Sequence, residues 1–268
     1  MDRLTELENR SIYIIREAYS QFDRLAALWS VGKDSTVLVW LCRKAFFGDV
    51  PFPVVHIDTT HKFPEMYEFR DRLAAEWGLN LIVARNEEAL DRGVGPDSGG
   101  SKLECCNELK TNALKQAIAR HRFDALLLAI RRDEHGIRAK ERYFSPRDKG
   151  FRWNYEDQPP ELWDQYTAEA TDEFHLRVHP ILEWREVDIW YYIQRENIPT
   201  NQLYFSKDGK RYRSLGCRTC CTPVDSSADT VEQIIEEIRT GRTAERAGRA
   251  QDKEDAYTMQ KLRSLGYM

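Results

Sequence analysis

Six residues, Ser30-Val-Gly-Lys-Asp-Ser35, join the apolar run Leu25 to Trp29 to a second run, Thr36 to Leu41, that continues as a helix. A buried strand that turns sharply into a helix is the opening unit of a doubly wound α/β fold, and this turn carries groups that grip a polyphosphate. It offers backbone N–H groups, the hydroxyls of Ser30 and Ser35, the cation of Lys33 and a helix N-terminus that Asp34 or Ser35 would cap. The spacing is not that of a Walker A loop. Ala27 stands where the first glycine of G-x-x-x-x-G-K-[ST] belongs, and Asp34 follows the lysine. That points away from γ-phosphate hydrolases, although the six residues alone also suit an ordinary strand-turn-helix with glycine at the bend.

The pattern that follows is βαβ punctuation, which implies a parallel sheet. An amphipathic helix over the first twenty residues leads into the strand at Leu25 to Trp29. Strands are expected at 54–57, 79–83 and 125–130, with helices over 36–45, 64–77 and 108–120 between them. Asp58 and the charged run Arg131 to Glu134 then fall at strand carboxyl ends, where open α/β sheets place their ligands. Residues 91–101 read as a flexible glycine-rich loop, and 143–173 as a polar, aromatic excursion over the site or a lid. Helices are expected from near Arg185 to 193, over 230–239 and over 253–265. The expected organisation is an α/β domain over residues 1–184 and a mainly helical C-terminal segment, 185–268, packed on it.

With 31% charged residues and no run near the roughly 20 apolar residues that span a bilayer, the chain reads as a soluble protein, cytoplasmic by default. A net charge of −4 gives no global footprint for nucleic acid. Five cations, Arg131, Arg132, Arg138, Lys140 and Arg142, crowd into twelve residues and could hold an α-phosphate or an incoming oxyanion, or could pair with Glu134 and Glu141 as a solvated face. Cys105-Cys106 and Cys217-x-x-Cys220 supply four thiolates, which suit a [4Fe–4S] cluster, a zinc ion, or unrelated buried thiols. Adjacent cysteines are rare in structural zinc sites, which favours the cluster. Cys42 reads as core, Cys221 as a spare or reactive thiol, and His56 and His61 carry no acid–base assignment.

Taken together, the Ser30 to Ser35 loop, His56-Ile-Asp58, Phe63 to Asp71, Arg131 to Glu134, Arg138 to Arg142, Asp188 to Ile193 and the tail from Glu245 to Arg249 resemble the N-type ATP pyrophosphatases. The resemblance lies in the branch of sulfate adenylyltransferase small subunits and of phosphoadenylyl-sulfate and adenylyl-sulfate reductases, and it covers nearly the whole chain. It implies a Rossmann-like fold, cleavage of ATP between its α- and β-phosphates, assistance by Mg²⁺, and a pyrophosphate resting on the loop. Lys33, Asp58, Arg132 and Arg138 are then the expected catalytic groups. Ser30, Val31, Gly32, Asp34, Ser35 and Arg131 join Lys33, Asp58 and Arg132 as the expected nucleotide contacts.

Val31 and Thr60 depart from the small residue and the glycine common at those positions. The cysteine pairs resemble the cluster ligands of adenylyl-sulfate reductases, yet the chain ends Leu265-Gly-Tyr-Met268 without the catalytic cysteine of those enzymes. A cluster without the reductase tail resembles the enzymes of DNA phosphorothioate modification (Dnd and Ssp type). That implies sulfur incorporation into the DNA backbone, with a [4Fe–4S] cluster on Cys105, Cys106, Cys217 and Cys220 and with a cysteine desulfurase and DNA-acting proteins as partners. The alternative is a sulfate adenylyltransferase small subunit working on sulfate with a GTPase large subunit. A reductase-like enzyme, a non-catalytic scaffold and a homo-oligomer also stay open.

Overall fold

The computed structural model describes residues 2–134, 136–163, 165–166 and 174–241, together with 245, 262 and 266. Helix α1 (Arg3–Gln21) starts at Asp2, whose carboxylate accepts the Thr5 amide at 2.9 Å, and buries Leu7, Ile14, Ile15 and Ala18 on one stripe. That apolar stripe, more than helix propensity, holds it in place. Strand β1 (Leu25–Leu28) is buried throughout, as a central parallel strand covered on both faces must be.

From β1 the chain steps outward on one side through α2 (Lys33–Ala45), β2 (Val54–Ile57), α3 (Pro64–Glu76) and β3 (Leu81–Ala84), all strands parallel. After α4 (Glu87–Asp91) it crosses back through α5 (Lys102–Cys106), a π-helical turn (Asn107–Asn112) and α6 (Ala113–His121). Strand β4 (Ala125–Leu127) then lies on the other flank of β1, with Leu25 opposite Ala125. The sheet order is β3-β2-β1-β4-β6-β5. The reversal between β1 and β4 opens a crevice beyond their carboxyl ends, which is where Ser30 to Ser35 and Arg131 fall. The mostly parallel, helix-flanked sheet is the expected fold class.

Two strands of the main sheet have no counterpart in the sequence reading. Strand β5 (Phe144–Asp148) runs antiparallel to β6 (Phe174–Val178), which pairs in parallel with β4. Inside β6, His175 and Arg177 are buried, so the polar positions of the alternation face protein and not water. Pro146 is tolerated because β5 is an edge strand. The expected excursion over 143–173 therefore begins as a sheet edge. Helix α7 (Glu186–Glu196) packs on α2 and on α8 (Val231–Thr240), and a small hairpin, β7 (Lys210–Arg211) with β8 (Val224–Asp225), lies between them in sequence. The helix expected over 253–265 lies outside the described residues. No helix among the described residues is long and apolar enough to cross a membrane.

Three buried histidines give this fold an acid sensitivity. Burial holds His179 neutral down to about 3 and His175 down to about 2, with Arg147 and Arg177 adding repulsion, and burial likewise places His56 well below its ordinary value. Each imidazole takes a proton near pH 6.5 when unfolded but not when folded. Stability is therefore complete above pH 6.5 and falls as the pH drops toward the folded values, by about 1.4 kcal/mol per pH unit and histidine. Thermal unfolding is expected to shift down by about 10 °C between pH 7 and pH 5.5, and a flat profile over that range would show that the folded chain takes up as many protons there as the unfolded one.

Candidate active site

A cavity open to solvent occupies the crevice between β1 and β4. Leu28, Val55, Ile57, Leu128 and Ile130 give it an apolar part, and Lys33, Asp34, Arg138 and Glu245 are among the charged groups that also line it. The turn that opens α2 forms its floor. Val31 adopts φ +67°, a left-handed conformation that costs a non-glycine residue about 1–2 kcal/mol. This turn aims the next residues at the cavity. Gly32 lies close under Tyr204: a Cβ there would stand 3.3 Å from the Tyr204 hydroxyl and press it back by a few tenths of an ångström. That hydroxyl accepts the Lys33 amide at 2.9 Å, and Ser30 and Ser35 share a hydrogen bond of 3.0 Å across the turn. Tyr204, brought in by a 3-10 turn and set edge-on to Trp190, was not foreseen from the sequence.

At this floor lies a network of buried charge. The Lys33 ammonium binds Asp34 at 3.1 Å and also Glu245, while the Arg131 guanidinium binds Asp34, Glu245 and, at 3.0 Å, Asp133. Burial works against the charged form of Glu245, but Arg131 and Lys33 outweigh it and hold the carboxyl well below the usual carboxylate range. Arg138 lines the cavity in a pair with Glu134. Lys62, Lys110 and Cys217, close to one another, also line the cavity. Burial, with Lys110 as a like charge close by, lowers Lys62 to about 8.

Four expected site residues do not line the cavity: Val31 and Arg131 are buried in the turn and the floor network, and Asp58 and Arg132 turn to other partners. Asp58 accepts hydrogen bonds from the Thr60 amide (2.8 Å), the Tyr67 hydroxyl (2.9 Å) and Arg85 (2.6 Å). It thereby braces the loop that carries Lys62. Arg132 turns to Glu183 at 3.2 Å and to the Glu141 carbonyl, with its guanidinium over Tyr143. Lys62, Lys110 and Tyr204 are among the cavity residues that the sequence did not mark, since nothing in their local spacing distinguishes them; Glu245 was marked only as the start of the tail that carries the resemblance, with no site role.

The structure gives no support to the expected [4Fe–4S] cluster. Neighbouring residues on a helix point about 100° apart, and Cys105 and Cys106 occupy consecutive positions of α5 rather than a loop. Cys105 packs with Ala89 and Leu109, whereas Cys106 packs with Leu262 and lies 3.6 Å from the Lys110 ammonium. Cys217 faces Thr59 at 3.2 Å and shares a hydrogen bond with Cys220, and Cys221 joins the apolar cluster of Trp29 and Phe63. Among the described residues, no three or more cysteine, histidine or acidic side chains are placed to hold a metal ion.

Residues 24–223 match the profile of the phosphoadenosine phosphosulfate reductase domain. The chain belongs to that family. Solved structures agree with the fold: the phosphoadenylyl-sulfate reductase of Candida auris, in its phosphate complex, has a TM-score of 0.55 at 16% identity, over 84% of this chain and 98% of that one. The FMN adenylyltransferase of Candida glabrata, in complex with ATP, has a TM-score of 0.57 at 17% identity, over 99% of this chain and 81% of that one. Within the family, curated relatives span the whole chain. One from Geotalea daltonii is 42% identical and one from Phocaeicola vulgatus 43%, each over 100% of this chain and 98% of the relative, and both are named sulfate adenylyltransferase subunit 2. These relatives overturn the expectation of sulfur incorporation into DNA. The cysteine desulfurase and DNA partners lose their support with it, because they were expected only on that reading.

Proposed function

We propose that this chain is the ATP-using subunit of a sulfate adenylyltransferase, forming adenylyl sulfate and pyrophosphate from ATP and sulfate. The carrying observation is the whole-length likeness to sulfate adenylyltransferase subunit 2, and the cavity suits the chemistry. The adenosine would rest on the apolar part of the cavity, with the β- and γ-phosphates at Lys33 and the α2 N-terminus. Sulfate would enter beside Lys62 and Lys110 and attack the α-phosphorus. The bond from that phosphorus to the bridging oxygen then breaks, and pyrophosphate leaves with the electron pair. Lys33, the turn amides and Arg131 would stabilise the charge that develops on it, so no side-chain nucleophile is required.

Mg²⁺ would be held chiefly by the nucleotide phosphates and water, with the Asp34 carboxylate placed to join them; it would supply neutralising charge on the leaving group. The partner would be a GTPase large subunit. The test is isotope exchange between ATP and pyrophosphate, with the partner subunit present. Exchange that depends on sulfate is expected, and exchange indifferent to sulfate would remove this reading.

A further inference from the structure

Glu245 reaches the cavity floor from a point in the chain more than one hundred residues beyond the other members of the network. Its two carboxylate oxygens are divided between the two cations, one on Lys33 and one on Arg131. The side chain is 8% exposed and Arg131 behind it is fully buried, so the carboxylate both fills the floor and seals the guanidinium from the cavity. A carboxylate bridging a lysine and an arginine makes the contacts that a phosphate group makes, with a forked donor on one side and a point charge on the other.

The charge balance turns this into a consequence for binding. The groups in contact at the floor are two cations, Lys33 and Arg131, and three carboxylates, Asp34, Asp133 and Glu245. Arg213 and Glu186 form a further pair beside them at 2.7 Å and leave the balance unchanged. A net negative floor repels a polyphosphate. Of the three carboxylates, Asp34 belongs to the first turn of α2, and Asp133 accepts the Glu186 amide at the start of α7 at 2.8 Å. Both are built into the frame of the sheet and its helices. Glu245 is the member whose described contacts at the floor are only with the two cations.

We propose that the Glu245 carboxylate is an internal competitor for pyrophosphate: it occupies the Lys33–Arg131 cradle in the empty site and is displaced when the β- and γ-phosphates bind. This rests on the reading of that cradle as the pyrophosphate site. Displacement restores a neutral floor and uncovers Arg131 at the same moment. On release of pyrophosphate the carboxylate returns, which limits rebinding of the product.

Titration of the full-length chain with magnesium pyrophosphate tests this, using the wild type, Glu245→Gln and Glu245→Asp. The glutamine variant keeps the shape and loses the charge. It is expected to bind pyrophosphate about tenfold more tightly, with a lower KM for ATP and slower product release. The aspartate variant is too short to bridge both cations and is expected to fall between the two, which decides the matter if the glutamine protein does not fold. Equal affinities in all three proteins overturn the proposal and leave the cradle reading intact. Weaker binding by the glutamine variant, as a residue that helps to hold the magnesium would give, also overturns it. Binding by none of the three overturns the cradle and the proposal together.

Discussion

Replacing Lys33 by methionine is expected to slow sulfate-dependent exchange between ATP and pyrophosphate by about 10²–10³-fold, the range found when one donor to a developing negative charge is removed. Lys33 is the first residue of α2 and its ammonium is almost fully buried, so little water can take its place. Its charge does more than bind, because negative charge accumulates on the bridging oxygen as the bond to the α-phosphorus breaks. The loss should therefore fall on kcat more than on the KM for ATP. The substitution also leaves Asp34 and Glu245 sharing Arg131 alone. Pairing it with Glu245→Gln should restore thermal stability without restoring the rate. A Lys33→Met enzyme that exchanged pyrophosphate at the wild-type rate would show that the ammonium is structural.

The parts of this molecule that could be read from its sequence are those in which one local pattern has one physical meaning. A buried parallel strand has to be apolar on both faces, so Leu25 to Leu28, Val54 to Ile57 and Ala125 to Leu127 announce themselves. A turn with glycine between an apolar strand and an apolar-faced helix fixes where the chain reverses, and Ser30 to Ser35 do join β1 to α2. Strands β5 and β6 were hidden because they bury polar side chains, Arg147 and Arg177 among them, which erases the alternation. The cysteines misled for the opposite reason. Spacing shows which thiols are near in the chain but not which way they point, and on α5 consecutive positions diverge. Tyr204 became visible, and Glu245 gained a place in the site, only when tertiary contact brought them to Lys33.

The charged stretch after β4 shows how one run of sequence serves two purposes. Arg131 and Arg138 turn toward the cavity floor and wall, whereas Glu141, three residues past Arg138, turns into the protein. There its carboxylate accepts the Arg147 guanidinium at 2.8 Å, with both side chains fully buried, and His179 stands 3.8 Å away. Arg147 also donates to the Ser145 hydroxyl at 2.7 Å and the Pro146 carbonyl at 3.0 Å, so the pair ties the segment behind the cavity to the edge strand β5.

Glu141→Ala is expected to destabilise the fold by about 3–5 kcal/mol, because it strands a guanidinium where water cannot reach it. The pair itself is worth far less than that, since removing two ions from water costs nearly what their attraction returns. The double variant Glu141→Leu, Arg147→Met should therefore recover most of the loss in chemical denaturation, and with it the exchange activity. Should the double variant instead be no more stable than Glu141→Ala, the pair would be acting through the register of β5 and the placement of Arg138, not through the burial of one unmatched charge. A single variant as stable as the wild type would mean that water reaches Arg147 after all.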